Sequence, residues 1–252
     1  MFRQRIHPAI GSNAFGLGVN WAHPLSRGLA TCLIFGDGLG YDLVTGKPII
    51  NNLGAALPNW SATAAGRAGY STGGSTFAIP NETMTKIGSF RVIFSPVSWP
   101  VAFTSPFDSN GRILAAFCTT GGDLNFYGWG DVNTTISIST GMTAGGTWDF
   151  AGTNTGTLIT WYVNGIAKGT TSFAGNDKTF AGSNWHFGRN VSGGGSDADC
   201  KYVTAQLWKG RTLTDGEVMQ LYSDPYCFLS PIAINVIAVP PPLKQLMGQI
   251  WM

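Results

Sequence analysis

Residues 184–222 read NWHFGRNVSGGGSDADCKYVTAQLWKGRTLTDGEVMQLY. Trp185–Gly188 is a short apolar run, the glycines at 193–195 mark a turn, and Tyr202–Trp208 is a longer β-rich run ending in Leu-Trp. Then the period changes. Thr214-Asp215-Gly216-Glu217 has the spacing of a capping box, in which the threonine hydroxyl accepts from the Glu217 amide while the glutamate reaches back. Val218, Leu221 and Tyr222 follow at helical spacing, and Asp224-Pro225 stops the helix. One short capped helix after a run of strands predicts an all-β fold closed by a single helix.

Working backward, Leu158–Lys168 (LITWYVNGIAK) places two β-rich runs around Asn164-Gly165 and predicts a two-residue hairpin turn. Gly28–Phe35 reads as the first strand of the body. Ser89–Trp99 alternates Phe90, Val92 and Phe94 with Arg91, Ile93 and Ser95, with Ile93 an imperfection in the alternation. Leu43–Leu57 carries turns and a short strand. Further short strands are expected at Thr76–Ile79, Arg112–Cys118, Leu124–Trp129 and Thr134–Ser139. No strand alternates with a long helix, which excludes a parallel α/β fold and predicts two antiparallel sheets packed face to face. Residues 1–24 read as an extended arm, 25–225 as the sandwich, and 226–252 as a second arm.

Composition agrees. The 252 residues include Gly 35 and Pro 13 with only 11% charged, which suits short strands joined by tight turns. A formal charge of +2, thinly scattered, gives no nucleic-acid footprint, and such low charge favours life inside an assembly. The N-terminus lacks the apolar core of a signal peptide, and no stretch approaches the ~20 apolar residues of a membrane helix. The expectation is synthesis in a cytoplasm. Cys32, Cys118, Cys200 and Cys227 lack zinc-site spacing; they are expected reduced and buried, although an even count permits disulfides.

These motifs together resemble the laminin-G-like, concanavalin A-like jelly-roll domains, in particular those of tailed-phage virion proteins. The resemblance spans roughly residues 24–226. It rests on His23–Leu29 (HPLSRGL), the Asp-x-x-x-Gly turn Asp42–Gly46, the hairpin WYVNG at 161–165, the closing strand and helix QLWKGRTLTDGEV at 206–218, and the exit YSDPYCFLSP at 222–231. It implies a jelly-roll sandwich and a function in recognition or structure. No catalytic motif comes with it.

Glycoside hydrolysis on this fold needs two carboxylates about 5–5.5 or 6.5–9.5 Å apart. The only glutamates are Glu82, in a loop, and Glu217, in the helix cap, so no enzyme is expected. Asp197 and Asp199 sit in a glycine-rich turn. They are the weak candidates for calcium, as in some laminin-G-like domains, against the plainer reading of a solvated turn. No other cofactor is implied. His7, His23 and His186 read as packing or surface residues. Tyr127, Trp129, Trp148 and Trp185 lie near turns, where flat rings stack on sugars; the alternative is half-buried sheet residues. Trp161 and Trp208 are expected in the core.

The last 27 residues, 226–252, include Phe228, Ile232, Ile234, Val236, Ile237, Val239, Leu243, Leu246 and Trp251. Each such side chain gains about 1.5–3 kcal/mol on burial, so the segment needs a partner. The run 232–239 is β-rich and suited to adding a strand to a sheet edge, and the prolines at 240–242 stiffen the chain beyond it. Docking onto its own sandwich is the alternative. The functional expectation is an outward-facing capsid decoration protein of a tailed phage, assembled in the host cytoplasm and held by its arms. Its partners would be the major capsid protein and copies of itself, in a trimer or similar symmetric unit. The alternative is a tail or fibre adhesin recognising host glycans.

Overall fold

A computed structural model describes residues 17–35, 42–47, 50–51, 60–63, 66–71, 77–79, 83–97, 104–109, 114–118, 123–129, 136–139, 143–174, 178–179, 185–188 and 196–231. In chain order the strands are β1 Leu17–Val19, β2 Leu29–Ile34, β3 Ile50–Asn51, β4 Trp60–Thr63, β5 Gly66–Ser71, β6 Phe77–Ile79, β7 Thr83–Met84, β8 Ile87–Pro96, β9 Thr104–Ser109 and β10 Leu114–Cys118. They continue with β11 Asp123–Gly128, β12 Ile136–Ser139, β13 Trp148–Thr155, β14 Leu158–Val163, β15 Ile166–Ser172, β16 Lys178–Thr179, β17 Trp185–Phe187, β18 Ser196–Asp197, β19 Cys200–Lys209 and β20 Leu229–Pro231. The helix, α1, is Asp215–Ser223.

Two sheets form the sandwich. The first runs β15-β14-β13-β8-β19-β5-β4, with β2 also on β19; the second runs β12-β11-β10-β9-β17-β6-β3. Pairings within them are antiparallel apart from a two-residue parallel bridge between β18 and β9. The local signals hold. Asn164 and Gly165 take φ of 52° and 77°, as the predicted turn requires. A Cβ at Gly165 would lie 2.9 Å from the Tyr222 Cβ, so this turn also admits the helix at close range. The capping box is complete at Thr214 and Glu217. Asp42 closes its turn by accepting from the amides of Cys32 and Val44 at 2.9 and 3.0 Å and from the Thr45 hydroxyl at 2.7 Å.

The core between the sheets is aromatic. Phe90 lies 6.1 Å from Phe107, 6.1 Å from Trp129 and 6.2 Å from Trp161, centroid to centroid. Phe94 stacks on Phe150 at 5.5 Å. The imperfect alternation of β8 has a structural reason: both of its faces are buried. Phe90, Val92 and Phe94 enter the inter-sheet core, whereas Ile93 packs with Val203 and Tyr226 on the far side.

That far side of the first sheet is sealed by α1 and the chain ends. Leu25, Leu29, Cys32, Ala151, Tyr162, Trp208, Leu213, Val218, Leu221 and Phe228 form a second apolar layer. Within it Arg91 is only 1% exposed. Its Nε donates to both Asp149 carboxylate oxygens at 2.9 and 3.0 Å, Nη1 to Gln206 Oε1 at 3.2 Å, and Nη2 to the Leu221 carbonyl at 2.8 Å. One guanidinium thus ties β8, β13, β19 and α1 together.

The arms drawn from sequence begin too far inward. β1 pairs with β20, Leu17 opposite Pro231 and Val19 opposite Leu229, so residues 17–24 and 226–231 are part of the fold. Phe228, counted above as an anchor, is buried in this chain's own second layer. The other anchor candidates, Ile232 to Trp251, lie outside the described residues, as does His7. Among the described residues no helix is long and apolar enough to cross a membrane.

Replacing Arg91 by Met strands Asp149 without its counter-charge and should cost about 3–5 kcal/mol. Adding Asp149→Leu to that variant should restore most of the loss. Urea unfolding of the two variants beside the parent measures both.

Candidate functional site

Because the first sheet's outer face is sealed, the second sheet supplies the other large face. Phe107, Trp185 and Phe187 point into the core; by strand alternation Asp108 and His186 lie on the outer side. His186 is the cross-strand partner of Asp108 on one side and of Ala78 on the other. The β9–β10 register sets Phe107 opposite Ala116, and Ala115 faces Tyr127. A transverse row therefore runs Tyr127, Ala115, Asp108, His186, Ala78 across β11, β10, β9, β17 and β6. Directly opposed residues have Cβ atoms about 4.5–5.5 Å apart, so Asp108 and His186 form one polar unit between small residues. Asp108, His186 and Ala78 are buried. Asp123 and Asn125 continue the face along β11, half-buried.

This arrangement keeps Asp108 and His186 buried and already engaged, and leaves the half-buried Asp123 and Asn125 as the polar groups of the face nearer solvent. It does not make a glycosidase dyad. Asp123 lies four residues along and two strands across from Asp108, roughly 16 Å away, well beyond the working separations. The thiols are poor nucleophiles. Burial pushes Cys32 far above its usual range, Cys200 up to about 12 and Cys227 up to about 11. All three are free, and the Cys118 side chain lies outside those described.

The candidate rings do not converge. Trp129 and Trp185 are fully buried inter-sheet rings, so the loop-tip reading is corrected for both. Trp129 follows β11 at φ 60° and is held there by its indole N–H donating to the Thr85 carbonyl at 2.9 Å. Trp148 is half-buried against the core at the start of β13. Of Tyr127 only the backbone position is described, and it falls in the polar row. Among the described residues the exposed indole is Trp21, at 61%, in the segment read from sequence as an arm. Trp161 and Trp208 are core, as expected.

Asp197 is tied into the bridge with Ser105, and the Asp199 carbonyl accepts from the Val97 amide at 2.9 Å. Among the described residues no three His, Cys, Asp or Glu side chains converge on a metal position. His23 has a local task, its Nδ1 accepting from the Leu25 amide at 3.2 Å to cap the 3-10 turn Pro24–Ser26.

A sequence profile of the concanavalin A-like lectin/glucanases superfamily matches residues 70–219, more than half of the chain. The chain belongs to this superfamily. Among curated proteins none matches it by sequence. Solved structures share the fold at low identity. Domain 4 of AbnA, an extracellular GH43 arabinanase from Geobacillus stearothermophilus solved with arabinotriose, aligns with TM-score 0.57 and 15% identity over 77% of this chain and 98% of that domain. Trypanosoma rangeli sialidase aligns with TM-score 0.57 and 11% identity over 80% of this chain, which spans 34% of the sialidase chain. The binding domain of Paraclostridial Mosquitocidal Protein 1 gives TM-score 0.56 and 13% identity over 77% of this chain and 52% of its own.

Trp129→Ala and Trp185→Ala should each lower stability by about 3–5 kcal/mol, as core truncations do. Trp21→Ala should stay within about 0.5 kcal/mol. Chemical denaturation of the three variants tests this division.

Proposed function

We propose that this chain is a non-catalytic outer module of a tailed-phage virion, a capsid decoration protein fastened by its two chain ends. The observation that carries this reading is the β1–β20 pair. It gathers the first and last described strands at one place, over the sealed face of the first sheet. The apolar residues from Ile232 onward leave from there, and attachment through them turns the second sheet outward. The resemblance to phage virion domains supplies the kind of particle.

Truncation after Pro231 keeps every described contact. It should abolish incorporation into particles while leaving the thermal midpoint unchanged; full incorporation of the truncated chain would reject the reading.

A second reading has its own observation. Asp123, Asn125 and Tyr127 of β11 lie, by strand alternation, on the face turned away from the proposed attachment point, in a superfamily of lectins and glucanases. A neighbour with this fold was solved with arabinotriose. On this reading the face binds host glycans. Tyr127→Ala and Asn125→Ala should each weaken retention on a glycan array about ten-fold without altering the melting temperature. Binding by the parent that neither change affects would remove this face from consideration.

A further inference from the structure

The first sheet ends at β15 in an open edge. No described residue pairs with the outer side of Ile166–Ser172; Ile166, Ala167 and Lys168 are all exposed, and from Gly169 to Ser172 half-buried and exposed residues alternate. Ile166 is 55% exposed although it faces Val163 of the core register. β12, the last strand of the second sheet, lies beside β15 without pairing to it. Among the described residues the sandwich is therefore unclosed along one side, with an apolar residue at its rim. An unpaired edge of this length is a template for another strand.

The chain carries a segment with the matching chemistry. Ile232–Val239 (IAINVIAV) has eight residues to the edge strand's seven, sets Ile232, Ile234 and Val236 on one face, and is ended by Pro240. Geometry decides whose edge it fills. The β1–β20 pair is tied to the turn that leads into β2, the Asn20 amide donating to the Phe228 carbonyl at 2.9 Å and the Ser26 hydroxyl to the Asn20 carbonyl at 2.7 Å, and from β2 to β15 the sheet order crosses β19, β8, β13 and β14. Five strand spacings amount to about 24 Å, or about seven extended residues. Ile232 follows β20 directly, so crossing to its own β15 would consume the β-rich run before pairing began.

We propose that Ile232–Val239 adds as a strand to the β15 edge of a second copy of this chain, covering Ile166 and closing the open side of that sandwich. The proposal concerns self-association alone and holds whether or not the module sits on a virion.

The test uses full-length variants in sedimentation velocity. The parent should self-associate. Ile166→Asp, which damages the acceptor edge at an exposed position, and the double change Ile234→Asp with Val236→Asp, which damages the donor, should each be monomeric, with the melting temperature that the parent shows when diluted until it dissociates. Mixed together, these two variants should form a 1:1 heterodimer that grows no further, because one retains the donor and the other the acceptor. A monomeric parent overturns the proposal, and if the donor variant then also melts lower, the segment docks on its own chain. Association that survives in both variants, or a mixture that stays monomeric, overturns it as well. Loss of self-association with particle incorporation intact would leave the virion reading standing and place the attachment elsewhere, in residues 243–251.

Discussion

A charged guanidinium beneath a helix is the constraint on which the first sheet's outer face is organised. Arg91 projects from the middle of β8, away from the aromatic core, where an uncovered strand would carry a solvated side chain. Burial there makes the charge costly unless each donor is met. Asp149 on β13 supplies the counter-charge, Gln206 on β19 a further acceptor, and Leu221 a carbonyl from the last turn of α1. The helix has no basic residue in its own last turn. Arg91 provides from the sheet the positive charge that the carboxyl end of a helix favours. At the opposite end Arg211 pairs with Glu217 and donates to the carbonyls of Pro24 and Arg27, so the helix is pinned at both termini by arginines from outside it.

This arrangement gives the sandwich two unlike sides. One face of the first sheet is committed to holding the helix, the turn at 24–26 and the paired chain ends. On the second sheet Asp108 and His186 lie, by strand alternation, on the side away from the core and are nonetheless buried. On the reading proposed above, attachment and recognition fall on opposite faces of the sandwich, because the face around Arg91 is taken up by the helix.

The features legible in the sequence were those set by neighbours along the chain. The Asn164-Gly165 turn, the Thr214–Glu217 box and the Asp42–Gly46 turn are decided by a few consecutive residues, and each forms as read. β13 escaped notice because Trp148–Thr155 (WDFAGTNT) lies centrally in a sheet covered on both sides. Asp149, Thr153 and Asn154 are buried there, and Asp149 is accommodated only because Arg91, 58 residues away, meets it. Trp129 and Trp185 sit next to turns in sequence but point inward, since the space between two short-stranded sheets is filled by rings whatever their distance from a turn. The polar row was invisible for the same reason: Asp108, His186 and Tyr127 share it only through register, and no local spacing records that. Phe228 looked like part of a free tail because β20 has its partner at the other end of the chain.

The two ends of the first sheet also differ in kind, and this bears on assembly. At β2 the edge is crowded by residues 19–29 and 227–229; at β15 no described residue pairs with it. The residue that follows β20 and the β15 edge are about 24 Å apart across the sheet, and on the pairing proposed above the two meet between copies. Any contact that joins them between copies uses different surfaces on each partner and is heterologous. Such contacts close into a ring when the rotation between copies divides a full turn, and otherwise run on as a filament. On that pairing the prolines at 240–242 would fall where the donated strand ends. The order of β-rich run, prolines and second apolar cluster would then put self-association nearest β20 and leave Leu243, Leu246 and Trp251 for a different surface.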